Sequence, residues 1–387
     1  MKHADDLSAR RLAWIGLNFL PGWGPVRIWE AVGKDKDPLP VWRRFRSLWP
    51  DDTGQQIIRQ AQMHGVQIVT YDDAAYPRNL KMMDYPPPVL FMQGEIYALD
   101  AAAVAIVGSR RASAQGIKLA YTLAEGLANN GITIVSGLAA GIDAAAHRGA
   151  LAAGGRTIAV LGNGLDIIYP ACNRDLAKCI LAHKDNGAIV SQFPCGTPPK
   201  PGHFPLRNQI IAGLSLGTLV VEARENSGAI ITARQADALS RTVMVCPGDP
   251  LRQHTLGSNR FLQEAYRPKA AGKETRVEMV LCVEDILNCL EEQLVAVTGY
   301  SRLVGAAALP GVVDSSAFET AVPDGQKKLA RNIWCVLSEG PAGIDIIALR
   351  SGNNVSEVRA CLGWLEVAGK VERHHGEIYS LCSLAPF

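Results

Sequence analysis

Short apolar runs in this chain are each followed by a small, polar, glycine-rich segment. Gly108-Ser109-Arg110-Arg111-Ala112-Ser113 comes after Val104–Val107, and Ser136-Gly137-Leu138-Ala139-Ala140-Gly141-Ile142-Asp143 after Ile132–Val135. Gly162-Asn163-Gly164 follows Thr157–Leu161, and the stretch from Glu222 through Arg224 to Ser227-Gly228 follows Thr218–Val221. Glycine lets a backbone pass close to a ligand, and a helix beginning just beyond offers unpaired N–H groups and its positive dipole end. Arg110 and Arg111 add two planar donor forks of the kind that match phosphate. Anion binding, phosphate above all, is therefore the chemistry to expect. A P-loop is excluded, because no Gly-x-x-x-x-Gly-Lys-Ser/Thr occurs. No Gly-x-Gly-x-x-Gly follows the first strand, which argues against a dinucleotide, so no cofactor is expected. His, Cys and carboxylate residues show no metal-ligand spacing, and no metal site is expected either. Asp143 reads as a cap for the helix that follows it, with His147 one turn further on as its partner.

Residues 103 to 247 must position these segments. Further apolar runs at Ala188–Val190 and Thr242–Val245 complete a series of strand-length stretches. Between most of them lie segments of helical periodicity, such as Ile117–Leu127 and Ala144–Ala152. Strands apolar on both faces and spaced by helices predict an α/β fold, a Rossmann-like doubly wound parallel sheet covered on both sides. In such a sheet ligands sit beyond the C-terminal strand ends, where the strand order reverses, so the glycine-rich segments converge on one crevice. Met279–Val283 reads as an added edge strand and Glu284–Leu294 as a closing helix. Ahead of this core, residues 1–65 read as a small helical N-terminal domain. Its Pro21-Gly22-Trp23-Gly24-Pro25 turn between helices is of the helix-hairpin-helix or SAM-like kind, with Trp23 and Trp29 packing. Residues 66–102 read as an extended approach: strand-like Val66–Val69 leads on to Pro86-Pro87-Pro88, which forbids helix and favours an extended connection. The whole Rossmann-like domain is expected over 66–294, a linker over 295–326, and a C-terminal winged-helix domain of three helices and a hairpin over 327–387.

Bulk properties narrow the class. A length of 387 residues calls for two or three domains. With 48% hydrophobic and 20% charged residues the chain is globular, and no apolar run approaches membrane-spanning length. The formal charge of +2 means that any attraction to nucleic acid must come from local clustering of arginine and lysine. Asp5, Asp6, Arg10 and Arg11 leave no apolar stretch for a signal peptide. Nine scattered cysteines without a Cys-x-x-Cys pair read as free thiols of a reducing cytoplasm.

The motifs, in order, resemble the DNA-processing protein A (DprA/Smf) family. Gly108-Ser109-Arg110 is followed by Ser136-Gly137-x-Ala139-x-Gly141-Ile142-Asp143 with His147. Then come Gly162-Asn163-Gly164-x-Asp166-x-x-Tyr169-Pro170-x-x-Asn173 and Phe204-Pro205-x-Arg207-Asn208. Val221-Glu222-Ala223, Ser227-Gly228, Pro247-Gly248 and Gly257-Ser258-Asn259 continue the match. The resemblance implies a Rossmann-like domain that binds single-stranded DNA without sequence preference, forms a homodimer, and loads RecA recombinase during DNA processing in natural transformation. It implies no catalytic residue. Carried over by position, Gly108, Ser109 and Arg110 would hold a backbone phosphate, with Ser136 and Gly137 supplying further donors. Phe204, Arg207 and Asn208 would line the same groove, Phe204 by stacking on a base. Arg111, Arg148 and Lys200 add positive charge, while Gly141, Asp143, Gly162, Gly164 and Gly228 shape and cap the loops. Gln209 stands where the family usually has a second arginine. The presumed recognition helix of the C-terminal unit carries Glu357, Arg359 and Glu366, a mixed face that favours protein docking over DNA reading.

Two other functions fit a Rossmann-like crevice. Relatives that cleave nucleotide N-glycosidic bonds place a glutamate near a strand end, as Glu222 is placed here, although their Pro-Gly-Gly-x-Gly-Thr signature is absent. An adaptor that senses a small nucleotide is the third reading.

Overall fold

The computed structural model describes residues 2–48, 53–266, 277–298, 322–323, 326–338, 342–351, 353–374 and 378–381. It divides into two compact units, Met1–Leu290 and Glu291–Phe387. The first unit opens with four helices, α1 (Lys2–Asn18), α2 (Pro25–Val32), α3 (Pro38–Phe45) and α4 (Thr53–Met63). Pro25 and Pro38 stand in the first turns of their helices, where a missing N–H leaves nothing unsatisfied. Trp14, Leu17, Ile28 and Trp29 from this layer are buried in one continuous core with the strands that follow.

The approach to the core departs from its expected form. Strand-like Val66–Val69 does give β1 (Gln67–Thr70), but the run after the three prolines is not a bare connection; it is a strand, β2 (Val89–Gly94). Prolines cannot donate to a ladder, and Pro88 joins this one only as an acceptor, its carbonyl taking the Tyr71 N–H at 3.0 Å. The carbonyls of Pro86 and Pro87 instead accept from Trp29 Nε1 and the Tyr76 hydroxyl, each at 2.7 Å. β1 and β2 pair antiparallel, and β2 pairs antiparallel with the sheet proper.

From there strands and helices alternate: β3 (Ala103–Val107), α5 (Ala114–Asn129), β4 (Thr133–Ser136), α6 (Ile142–Ala152), β5 (Thr157–Leu161), α7 (Arg174–Leu181), β6 (Gly187–Ser191), α8 (His203–Leu214), β7 (Gly217–Val220), α9 (Gly228–Ala238), β8 (Thr242–Val245), α10 (Leu256–Tyr266) and β9 (Val277–Met279). Every residue of β3 to β8 is buried, as helices on both faces require. The nine strands lie in the order β1-β2-β6-β5-β4-β3-β7-β8-β9. All neighbours from β6 to β9 are parallel. The chain winds outward from β3 through β4, β5 and β6, then returns to lay β7 on the other side of β3. The order reverses at the β3/β7 boundary, so the crevice of a doubly wound sheet falls above Val107 and Val220, which face each other in register. The closing helix comes in two pieces, Val283–Cys289 and Glu291–Thr298, with Leu290 between them.

In the second unit, helices Lys327–Ser338, Ile344–Ser351 and Val355–Val367 enclose a core that includes Leu329, Ile333, Leu337, Ile347, Val358, Leu362 and Leu365. A small antiparallel sheet, Ala342–Gly343, Ile378–Leu381 and Val371–His374 in that spatial order, completes a winged helix. Most of the expected linker, residues 299–321, lies outside the described residues; its first four are the end of helix Glu291–Thr298. Among the described residues no helix is long and apolar enough to cross a membrane.

Candidate nucleic-acid interface

The loop between β3 and α5 is fixed from beneath. Ser113 caps α5, its Oγ accepting from Gly116 N at 3.0 Å. Both Glu222 carboxylate oxygens, at the tip of β7, accept from Ser113, one from its backbone N–H at 2.8 Å and the other from its hydroxyl. Ser109 N–H donates to the Glu222 carbonyl at 2.7 Å, and Ser109 Oγ accepts from Arg111 N–H at 3.1 Å. Glu222 is therefore consumed in joining two strand tips. Arg110 and Arg111 project from this braced turn into solvent.

A second loop, between β4 and α6, lies against the first. Gly141 has φ +80°, and a Cβ there would collide with the Ser109 carbonyl and reach 3.0 Å from that of Arg110. Only glycine meets both demands. Asp143 does not cap α6, as its spacing suggested; Gly141 holds the cap position with no side-chain bond. The Asp143 carboxylate turns back instead and accepts from the N–H groups of Gly137 (3.1 Å) and Ala139 (3.4 Å). Burial raises its pKa, and the Arg207 guanidinium and the two loop donors act against that rise. His147 does not pair with Asp143 either. Its Nδ1 lies 2.6 Å from Thr157 Oγ1, whose own proton goes to the Ile134 carbonyl at 2.8 Å. Nδ1 must then be the donor, leaving Nε2 as a buried acceptor without a partner. Burial, with Arg207 and Arg148 adding to it, holds the imidazole neutral down to about 3.

Arg207, on α8, is only 5% exposed. Its Nη1 donates to the carbonyls of Gly137 and, at 2.8 Å, Val160, and its Nε to Asn208 Oδ1 at 3.0 Å. A Cβ on Gly137 would occupy the guanidinium's place. Burial pushes the guanidinium down to about 10, still charged at neutral pH. Asn208 is likewise buried and donates to the Gly228 carbonyl at 3.3 Å. Ser136 is fully buried and donates to the Ile106 carbonyl at 2.6 Å. These side chains tie α8 to the tips of β4, β5 and the start of α9.

Above this floor opens a cleft of about 310 Å³ at the β3/β7 boundary. Gly108, Ser109, Arg110, Arg111, Asp143, Phe204, Arg207, Asn208 and Gly228 all line it. A smaller adjoining hollow of about 100 Å³ takes in Gly137, Gly162, Tyr169 and again Arg110, Phe204 and Arg207. Phe204 stands between the two, half-buried, with the Arg110 guanidinium carbon 5.0 Å and that of Arg207 5.7 Å from its ring centroid. Tyr169 lies 6.0 Å away, ring to ring. Arg110 and Arg207 thus meet on one ring, as a shared groove requires. Arg148 and Lys200 are exposed but line neither hollow, and Gly164 is bound to the Thr197 carbonyl at 2.9 Å. The cleft also contains Arg224, Ser227 and Thr232, which motif reading did not single out as ligand-binding residues. Arg224 sits just past a strand tip in the switch-point crevice, the one signal that marks it. Arg110, Arg111 and Arg224 are exposed, and among the described residues none is within ion-pair distance of a carboxylate. Asp143 is the sole acidic lining residue, and it is buried and engaged.

Comparison with known proteins places the chain in a family. Residues 67–281 match the family model of DNA recombination-mediator protein A, and residues 319–377 that of the DprA winged helix domain. The protein Smf of Synechocystis is 35% identical over 94% of this chain and 89% of its own length. The DNA processing protein DprA of Streptococcus pneumoniae is 40% identical over 53% of this chain and 72% of its own. The X-ray structure of the S. pneumoniae protein superposes with a TM-score of 0.56 at 33% identity, covering 72% of this chain and 92% of that one. With the sheet matched from β1 through its last strand and a relative aligned nearly end to end, this chain belongs to the DprA/Smf family of DNA-processing proteins.

Proposed function

We propose that the cleft at the β3/β7 boundary binds the sugar-phosphate backbone of single-stranded DNA without regard to sequence, and that the bound strand is handed to RecA recombinase. The observation that carries this reading is the rim. Arg110, Arg111 and Arg224 are exposed, unpaired with carboxylates among the described residues, and surround loops whose glycines let a backbone approach. Gly108 and Ser109 supply that close approach, with Asn208 and Gly228 below them. Phe204 offers a ring on which a base stacks, a contact that is indifferent to base identity. Arg207, Ser136 and Gly137 serve as scaffold beneath the rim, since Arg207 Nη1 and Nε, the Ser136 hydroxyl and the Gly137 N–H and carbonyl are engaged within the protein. Arg148 and Lys200 meet only a strand that runs on past the cleft.

The glycosidic-hydrolase alternative loses its candidate, because both Glu222 oxygens are held by Ser113 and the residue lines neither hollow. Calorimetry with a dT oligomer, a duplex of equal length and nucleoside monophosphates separates the readings. Tight binding to the oligomer alone is expected. Binding of a monophosphate in its place, or release of free base, overturns the proposal. Size-exclusion chromatography with light scattering checks the homodimer. Recombinase ATPase activity on a strand already coated by single-strand-binding protein checks loading.

A further inference from the structure

The helical layer carries a second cluster of guanidinium groups. Residues 38–50 contain Arg43, Arg44 and Arg46 and no carboxylate. Between α2 and α3 lies a groove of about 610 Å³ lined by Trp23, Arg27, Glu30, Val41, Arg44 and Phe45, among others. The Arg27 guanidinium carbon lies 4.7 Å from the Trp23 ring centroid, and that of Arg44 5.3 Å from that of Phe45. The two rings meet edge to face at 4.9 Å. Arg27, Arg43, Arg44 and Arg46 are exposed, and among the described residues none is within ion-pair distance of a carboxylate. Arg43 and Arg44 in the last turn of α3 complement its dipole. That role does not account for Arg27, which reaches the same groove from α2.

A guanidinium laid on a ring has surrendered rotamer freedom before a ligand arrives, so binding an anion costs less entropy. Flat cations beside aromatic rings suit a ligand with phosphates and flat bases, which an acidic peptide lacks. Glu30, the one acidic lining residue, weakens the field without cancelling it. We propose that this groove is a second contact for unpaired nucleic acid, engaging the strand beyond the part held at the sheet. It rests on the reading of the cleft, which holds the other part of the strand.

The test uses the double variant R27Q/R44Q in the full chain, with fluorescence anisotropy on a dT hexamer and a dT 35-mer. The 35-mer should bind about tenfold more weakly, and its log–log salt slope should shrink by about 1.4, the share of two phosphate contacts on a single strand. Hexamer affinity should stay within about twofold, because a short strand is held at the cleft alone. Equal losses for both lengths, or none for either, overturn the proposal. Failure of the cleft reading looks different: Arg110→Ala leaves both lengths unchanged while R27Q/R44Q still weakens the 35-mer. Unaltered protein gives an independent check with an oligomer carrying 5-iodouracil. Photo-adducts on the peptide containing Trp23 or Phe45 support the groove; adducts confined to the Phe204 region, or displacement of the 35-mer by polyglutamate of equal charge, count against it.

Discussion

Rim and floor of the cleft carry the same side chain in two conditions. Arg110 stands in solvent over the Phe204 ring, paired with no carboxylate among the described residues. Arg207 lines the same two hollows beside that ring, yet its Nη1 and Nε are committed to two backbone carbonyls and Asn208. Both are arginines in family motifs. They differ in what their donors still have to give. A ligand's phosphate competes with water for Arg110, but with the fold itself for Nη1 and Nε of Arg207. Affinity therefore belongs to the rim and stability to the floor, and each substitution below is a way to break that division.

The largest effect is expected at Arg207. Its replacement by alanine strands two buried carbonyls and removes the cation nearest Asp143, at a cost of about 2–5 kcal/mol in chemical unfolding. Unchanged stability with lost DNA affinity would move Arg207 to the rim. The next effect comes from acid. His147, held neutral in the fold down to about 3, protonates more readily once unfolded, so its contribution is complete above about pH 6.5 and is lost as pH falls toward 3. Between pH 7 and 4 the wild type should lose roughly 3 kcal/mol more than a His147→Gln variant. Asp143 works in the opposite sense, since its raised pKa favours the fold at low pH, but it is common to both proteins. Parallel curves for the two would remove the buried histidine from the account.

Arg110→Ala should leave the unfolding midpoint in place and weaken binding of a dT oligomer by about 1.5–3 kcal/mol, the value of a hydrogen bond to a charged group. The smallest effects belong to Arg148→Ala and Lys200→Ala, within about 0.5 kcal/mol on stability and about twofold on short-oligomer affinity, as for surface sites outside a contact. A large loss at either would place the strand on a path away from the Phe204 ring.

The sheet was legible because burial on both faces writes itself as uninterrupted apolar runs, and β3 to β8 lie within about a residue of those runs. Gly141 was legible too, since a glycine between a strand tip and a helix has few other uses. The strand after Pro86-Pro87-Pro88 was hidden, because prolines announce what a segment cannot be rather than what its sequel pairs with. Motif spacing placed Arg207 and Arg110 on one crevice but carried no sign of depth. Burial of α8 residues depends on which strands it covers, a long-range fact. Asp143 and His147 misled for a related reason: local spacing offered a cap and a pair, while the true partners, Gly137, Ala139 and Thr157, follow from how loops stack.

The central claim is that exposed, unpaired guanidinium groups at the strand tips take up phosphates of a single strand. A salt series of fluorescence anisotropy with one labelled oligomer, comparing wild type with R110A/R224A, addresses it directly. Each phosphate contact on a single strand contributes about −0.7 to the log–log slope, so the double variant should flatten it by about 1.4. An unaltered slope, at whatever affinity, would mean that the rim arginines never touch the strand.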